Sequence, residues 1–231
     1  MKKLFFALLL SFISFNAFCQ GSDTSKSTSN FNFGYQGNIM TSGLWIPNST
    51  KNSTIKGTVY LFPNFTGQYN VLTKNGESRQ LFNLNFNLKT KTLESLISKD
   101  SVFQYDLGQF DYIINSNNKY KVRNVGEFQG LSLEIYSSEK IQLYKEFAIA
   151  VEQGVLNPMT QTMISEDKYV QVFSYYFYTN GKVVKIKLNK SDILKQLADK
   201  KDIIKKYASE NDFSFSNEND VAKILKHYDA L

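Results

Sequence analysis

From Thr58 onward, apolar and polar positions alternate with a period of two. Phe82, Leu84, Phe86 and Leu88 alternate with Asn83, Asn85 and Asn87, and Leu131, Leu133 and Ile135 with Ser132, Glu134 and Tyr136. Ile141, Leu143, Phe147 and Ile149 stay in phase across Gln142, Tyr144, Glu146 and Ala148, while Val184, Ile186 and Leu188 alternate with Lys185 and Lys187. Successive side chains of a strand point to opposite faces, so this pattern predicts antiparallel strands with one buried and one wet face. The punctuation agrees. Lys74-Asn75-Gly76-Glu77 and Thr179-Asn180-Gly181-Lys182 carry Asn-Gly hairpin turns, in which both central residues are expected at positive φ. Ser116-Asn117-Asn118 and Ser137-Ser138-Glu139-Lys140 mark further reversals. The spacing predicts roughly nine or ten strands between 58 and 188.

After Leu188 the period changes. Ile193, Leu194 and Leu197 form one helical stripe, Ile203, Ile204 and Tyr207 a second, and Val221, Ile224, Leu225 and Tyr228 a third. Asp199, three before Asp202, and Asn217, three before Asp220, are placed to cap the second and third helices. The fold class read from these periods is α+β: an antiparallel β-meander or half-barrel followed by two or three short C-terminal helices. Residues 57–231 are expected as a single β-rich domain, with its helices in 189–231. Residues 33–56 hold Gly34, Gly37, Gly43 and Pro47 around Leu44-Trp45-Ile46. So many breakers predict an irregular segment pinned to the domain by Trp45.

The N-terminus has a different grammar. Lys2 and Lys3 precede an apolar run from Leu4 to Phe15, and Ala17-Phe18-Cys19 places small residues at −3 and −1 before Gln20. This is the pattern of a secretory signal peptide, residues 1–19. The run is shorter than the ~20 residues needed to span a bilayer, so no transmembrane span is expected in the mature chain. Residues 20–32, rich in Ser and Thr, read as a flexible tether. Localisation is therefore periplasmic or extracellular. A competing reading makes Cys19 a lipidated N-terminus, although the bulky Phe18 is unlike the small residue that lipoproteins place there.

Cleavage after Cys19 removes the only cysteine. The mature chain would then lack disulfides, a thiol nucleophile and thiolate metal ligands. His227 is the single histidine, which excludes multi-histidine metal sites, and its place beside the C-terminus predicts a surface role. No phosphate loop, dinucleotide fingerprint or Gly-x-Ser-x-Gly element occurs. No metal and no cofactor is expected. The formal charge is +6, and nine lysines against three aspartates crowd residues 182–206. Nucleic acid is not the expected partner, because export argues against it and only Arg79 and Arg123 supply guanidinium forks. A lysine-covered surface accounts for the cluster.

Three features remain. The run Tyr175-Tyr176-Phe177-Tyr178 puts Tyr176 and Tyr178 on one strand face, with Lys185 and Lys187 nearby across a hairpin. Tyr176, Tyr178, Lys185 and Lys187 are the candidate binding residues, suited to stacking on sugars or holding an anionic glycan. A central strand buried on both faces has the same composition. Glu134 and Glu146 fall on the wet face of neighbouring predicted strands, the arrangement a carboxylate-based hydrolase requires. Ala150 to Lys168 is a long connection with interleaved apolar residues, read as a partner contact or an extended β-ribbon.

Gly57-Thr58-Val59-Tyr60-Leu61-Phe62-Pro63-Asn64-Phe65, followed by Lys74-Asn75-Gly76, resembles the opening of a family of small exported proteins of Bacteroidetes-type bacteria. The ending from Leu188-Asn189-Lys190 through Asp199-Lys200-Lys201 to Ile224-Leu225-Lys226-His227-Tyr228 resembles the same family. The resemblance covers most of 57–231 and implies a Gram-negative envelope setting. It carries no established activity, so no residue role comes with it. The expectation is an exported, non-catalytic envelope protein binding an envelope protein or glycan, with a glycan or peptide hydrolase and a lipid-anchored structural protein as alternatives.

Overall fold

A computed structural model describes residues 43–48, 54–125, 128–179 and 181–231. The signal peptide, the tether, Cys19 and most of 33–56 lie outside the described residues. Within 33–56, Gly43–Pro47 is not irregular but forms a strand, β1. It pairs antiparallel with Ser101–Tyr105 (β6), which leaves Trp45 61% exposed, with an edge-on contact to Phe103.

The other strands are β2 (Gln68–Thr73), β3 (Ser78–Phe82), β4 (Leu84–Asn87), β5 (Thr92–Ser98), β7 (Phe110–Asn115), β8 (Asn118–Val125), β9 (Phe128–Ser137), β10 (Ile141–Glu152), β11 (Lys168–Thr179) and β12 (Lys182–Ile186). Helices α1 (Lys190–Gln196), α2 (Lys201–Glu210) and α3 (Glu218–Asp229) follow. The class is α+β, with twelve strands among the described residues rather than nine or ten. They form two antiparallel sheets, ordered β1-β6-β5-β4 and β12-β11-β10-β9-β8-β7-β2-β3. The single meander expected from the spacing is therefore divided. The chain leaves the larger sheet after β3 at Asn83, whose φ of 52° breaks the strand, and returns after β6 through a 3-10 turn at Leu107–Gln109. Asp106 caps that turn by accepting from Gly108 N–H.

Two apolar clusters result. One gathers Leu84, Phe86, Leu93 and Phe103 of the smaller sheet with Val71, Phe110, Ile113 and Leu131 of the larger. The other packs Leu143, Phe177 and Ile186 against Ile193, Leu197, Ile204, Val221, Ile224 and Leu225 of the helical region. Both use the same face of the larger sheet, since Ile113, Tyr120, Leu133, Lys145, Tyr175 and Ile186 lie opposite one another across β7 to β12.

Several local expectations change. In the second helix Ile204 and Ala208 are buried, whereas Ile203 is 52% exposed. Asp199 does not cap α2; its carboxylate accepts from Tyr228 Oη at 3.0 Å, and α2 begins without a side-chain cap. Asn217 caps α3 through Asp220 N–H as the spacing predicts, and Asn189 does the same for α1 through Asp192 N–H. In the β2–β3 turn Gly76 is at positive φ but Asn75 is not, because Thr73 closes a longer loop by receiving Gly76 N–H and pairing with Glu77. His227 is half-buried, its ring stacked on Tyr207 at 3.7 Å.

Candidate functional site

The face of the larger sheet turned away from both apolar clusters collects most of the residues singled out from the sequence. Antiparallel register places Tyr112, Lys121, Ser132, Glu146 and Ser174 opposite one another across five strands, β7 to β11. One step along, Glu134, Tyr144, Tyr176 and Lys185 form a second row across β9 to β12. Tyr178 lies two residues beyond Tyr176 on the same face. Three of the four candidate residues, Tyr176, Tyr178 and Lys185, are thus brought together. Lys187 is not. It falls beyond the end of β12, and its N–H donates to Asp192 at the start of α1. The alternative of a strand buried on both faces does not hold for β11, in which only Phe177 is buried.

The centre of this face is a residue that sequence reasoning passed over. Arg123 stands opposite Gly130, which has no side chain to block it, and is only 7% exposed. Its guanidinium carbon lies 4.1 Å from the ring centre of Tyr144 and 3.9 Å from that of Tyr178. The two rings are nearly perpendicular, at 87°, so the guanidinium sits in the corner between them. The ring quadrupoles favour the cation there. They do not supply acceptors for every N–H: Nε and Nη1 of Arg123 are buried with no hydrogen-bond partner among the described residues, and so is Oγ of fully buried Ser132. The only available signal was the rarity of arginine in the chain.

The two carboxylates differ. Glu134 accepts from Tyr112 Oη at 3.0 Å, Tyr144 Oη at 3.4 Å and Lys119 Nζ at 3.2 Å, and burial together with Glu134 pushes the Tyr112 hydroxyl up to about 12. Glu146, 7% exposed, makes no hydrogen bond among the described residues. Burial lifts its carboxyl above the usual carboxylate range, against the lowering pull of Arg123, Lys91 and Lys185. The two are diagonal rather than direct neighbours, because Glu146 faces Ser132 and Glu134 faces Tyr144.

A second polar region lies on the smaller sheet. A cleft of about 740 Å³ is lined by Thr58, Tyr60, Asn85, Asn87, Lys89 and Tyr169 among others. The alternation of 82–88 predicted its asparagines to face water, yet Leu84, Asn85, Phe86 and Asn87 are all buried. Asn85 completes the backbone of the neighbouring loop: Oδ1 accepts from Phe62 N–H at 2.9 Å and Nδ2 donates to Phe62 O at 3.0 Å. Behind it, Glu94 accepts from Tyr60 Oη and Thr92 Oγ1, each at 2.7 Å, and from Asn87 and Gln104 at 3.4 Å. Burial first, and Glu94 second, hold the Tyr60 hydroxyl far above its ordinary range. These groups are occupied by one another.

Among the described residues no cluster of ligating side chains fits a metal ion, and no helix is long and apolar enough to cross a membrane. Comparison with protein-family models, with curated proteins and with solved structures gives no match.

Proposed function

We propose that this is an exported, non-catalytic envelope protein that binds its ligand or partner through the outer face of the eight-stranded sheet. Export rests on the Lys2-Lys3 and Leu4–Phe15 pattern with its small residues before Gln20. The observation that carries the binding reading is the convergence of Tyr144, Tyr176, Tyr178, Arg123 and Lys185 on the one sheet face that takes no part in either apolar cluster. Amphipathic tyrosines backed by a desolvated cation are the composition of a recognition surface rather than of a fold's interior. The cleft is the weaker candidate, since its carboxylate and amide groups already satisfy one another.

Secreted protein immobilised and exposed to envelope extract should retain a defined species, and Tyr176→Ala combined with Lys185→Ala should release it without changing the unfolding midpoint. Equal retention by the double variant overturns the assignment of the face. Turnover of glycan or peptide substrates that Glu134→Gln or Glu146→Gln abolishes overturns the non-catalytic reading. Intact mass decides the anchor: a product starting at Gln20 supports free export, and retention of Cys19 with added lipid mass supports the anchored form.

A further inference from the structure

Resting on the outer-face reading, we infer that the Arg123 corner is a site for the carboxylate group of a small ligand. A guanidinium never loses its charge, and leaving its N–H groups unpaired away from water is costly. Here, among the described residues, two nitrogens of a side chain more than nine-tenths buried lack acceptors, and the buried hydroxyl of Ser132, diagonal to Arg123 across the β8–β9 pair, lacks a partner as well. Three unpaired polar atoms on one patch of sheet call for an acceptor that brings more than one lone pair.

The geometry selects which acceptor. Tyr144 and Tyr178 close two perpendicular approaches to the guanidinium, so a ligand meets it along its remaining edge. A carboxylate is flat and offers two oxygens at the spacing of the guanidinium fork. A phosphate is tetrahedral, and its second charge would oppose the Glu146 carboxylate, which lies opposite Ser132. The groups facing Glu146 are Arg123 from β8, Lys185 from β12, Lys91 from the turn after β4, and Tyr176 and Tyr178 from β11. Glu146 is coupled to Arg123 through charge but forms no hydrogen bond with it among the described residues. An entering carboxylate takes the bonds that Glu146 does not make. Tyr144 is fully buried and Tyr178 half-buried, and the edge left between them is the one a carboxylate meets.

The secreted protein titrated with sodium acetate, against sodium chloride at equal ionic strength, tests this through the 15N–1H resonance of the arginine Nε. Only two arginines exist, so Arg79→Lys identifies the Arg123 signal. Acetate should move that signal and raise the thermal midpoint, while chloride does neither. Arg123→Lys keeps the charge but loses the fork, and should weaken acetate binding about tenfold. Glu146→Gln removes the competing carboxylate and should tighten it by about threefold. Glucuronate and N-acetylglycinate then separate an acidic sugar from a peptide-type carboxylate as the natural source. An Nε signal unmoved by every carboxylate in both the wild type and Glu146→Gln overturns the site, and so does a larger response to phosphate. Should Arg123→Lys fail to fold, Glu146→Gln decides the matter, because it retains the arginine. Loss of the envelope species in the Tyr176/Lys185 variant without any carboxylate response defeats this inference alone. A carboxylate response with no retained species defeats the envelope-partner reading alone.

Discussion

Glu94 and Arg123 are both ionisable side chains withdrawn from water, and the fold houses them in opposite ways. Glu94, 2% exposed, is met by four donors from Tyr60, Thr92, Asn87 and Gln104. Arg123, 7% exposed, is met by two aromatic rings and keeps two nitrogens unpaired among the described residues. A buried polar group whose partners are all supplied internally holds structure together; one whose partners are missing is held ready for something else. The cleft of about 740 Å³ is thus not the better binding candidate. The smaller sheet spends its polar groups on itself, and the larger sheet leaves some of them unspent on its outer face.

That contrast can be broken by measurement. The largest effect is expected from Glu94→Ala, which strands four donors, the buried Tyr60 and Asn87 among them, and should cost about 4 kcal/mol of stability in urea unfolding. A cost under about 1 kcal/mol would mean that the cluster is incidental. Asn85→Ala should follow at about 2–3 kcal/mol, since Phe62 N–H and Phe62 O lose partners together. Arg123→Met should stay within about 1 kcal/mol of wild type in either direction, because an apolar side chain of similar length relieves an unsatisfied buried charge. If Arg123→Met instead unfolds the protein as severely as Glu94→Ala, the corner is structural and the comparison collapses.

The smallest effect sharpens the same point through pH. Glu146 is raised in the folded protein, so the folded state binds its proton more tightly than the unfolded chain does. Stability from this group is therefore present at low pH and is lost as pH rises from the unfolded carboxylate value through the raised folded one. Glu146→Gln should flatten the urea midpoint across that window and raise it at neutral pH. An unchanged pH profile would show that the Arg123, Lys91 and Lys185 charges cancel the burial of Glu146.

Much of the architecture was legible in the chain because period and punctuation are local. The shift from alternation to helical spacing after Leu188 located all three helices, and the reversals at 116–118 and 137–140 located two hairpins. The register of a third hairpin, β11–β12, puts Tyr176 and Lys185 opposite one another, across the hairpin that the sequence reading named. The failures share one cause. Asn85 and Asn87 look wet by alternation, but β4 has protein on both sides, and their amides replace water with Phe62 carbonyl and amide groups or with Glu94. Ile203 fits a stripe by spacing, yet the region packs on only one side of α2.

Arg123 is the clearest instance of a site that no pattern announced. Alternation places it on the outer face with Lys121, and nothing more. Its meaning depends on Tyr144 and Tyr178, which reach it from two other strands, and on Gly130, which clears the floor beneath it. The sequence by itself determined what local rules can carry: the α+β class, the hairpins, the helical stripes and the placement of Tyr176 and Tyr178 on one strand face. Only the tertiary structure decided which polar groups are satisfied and which are not. Some hydrogen-bond partners come from far along the chain, as Tyr60 does for Glu94 and Phe62 for Asn85, and no period along the chain records whether they arrive.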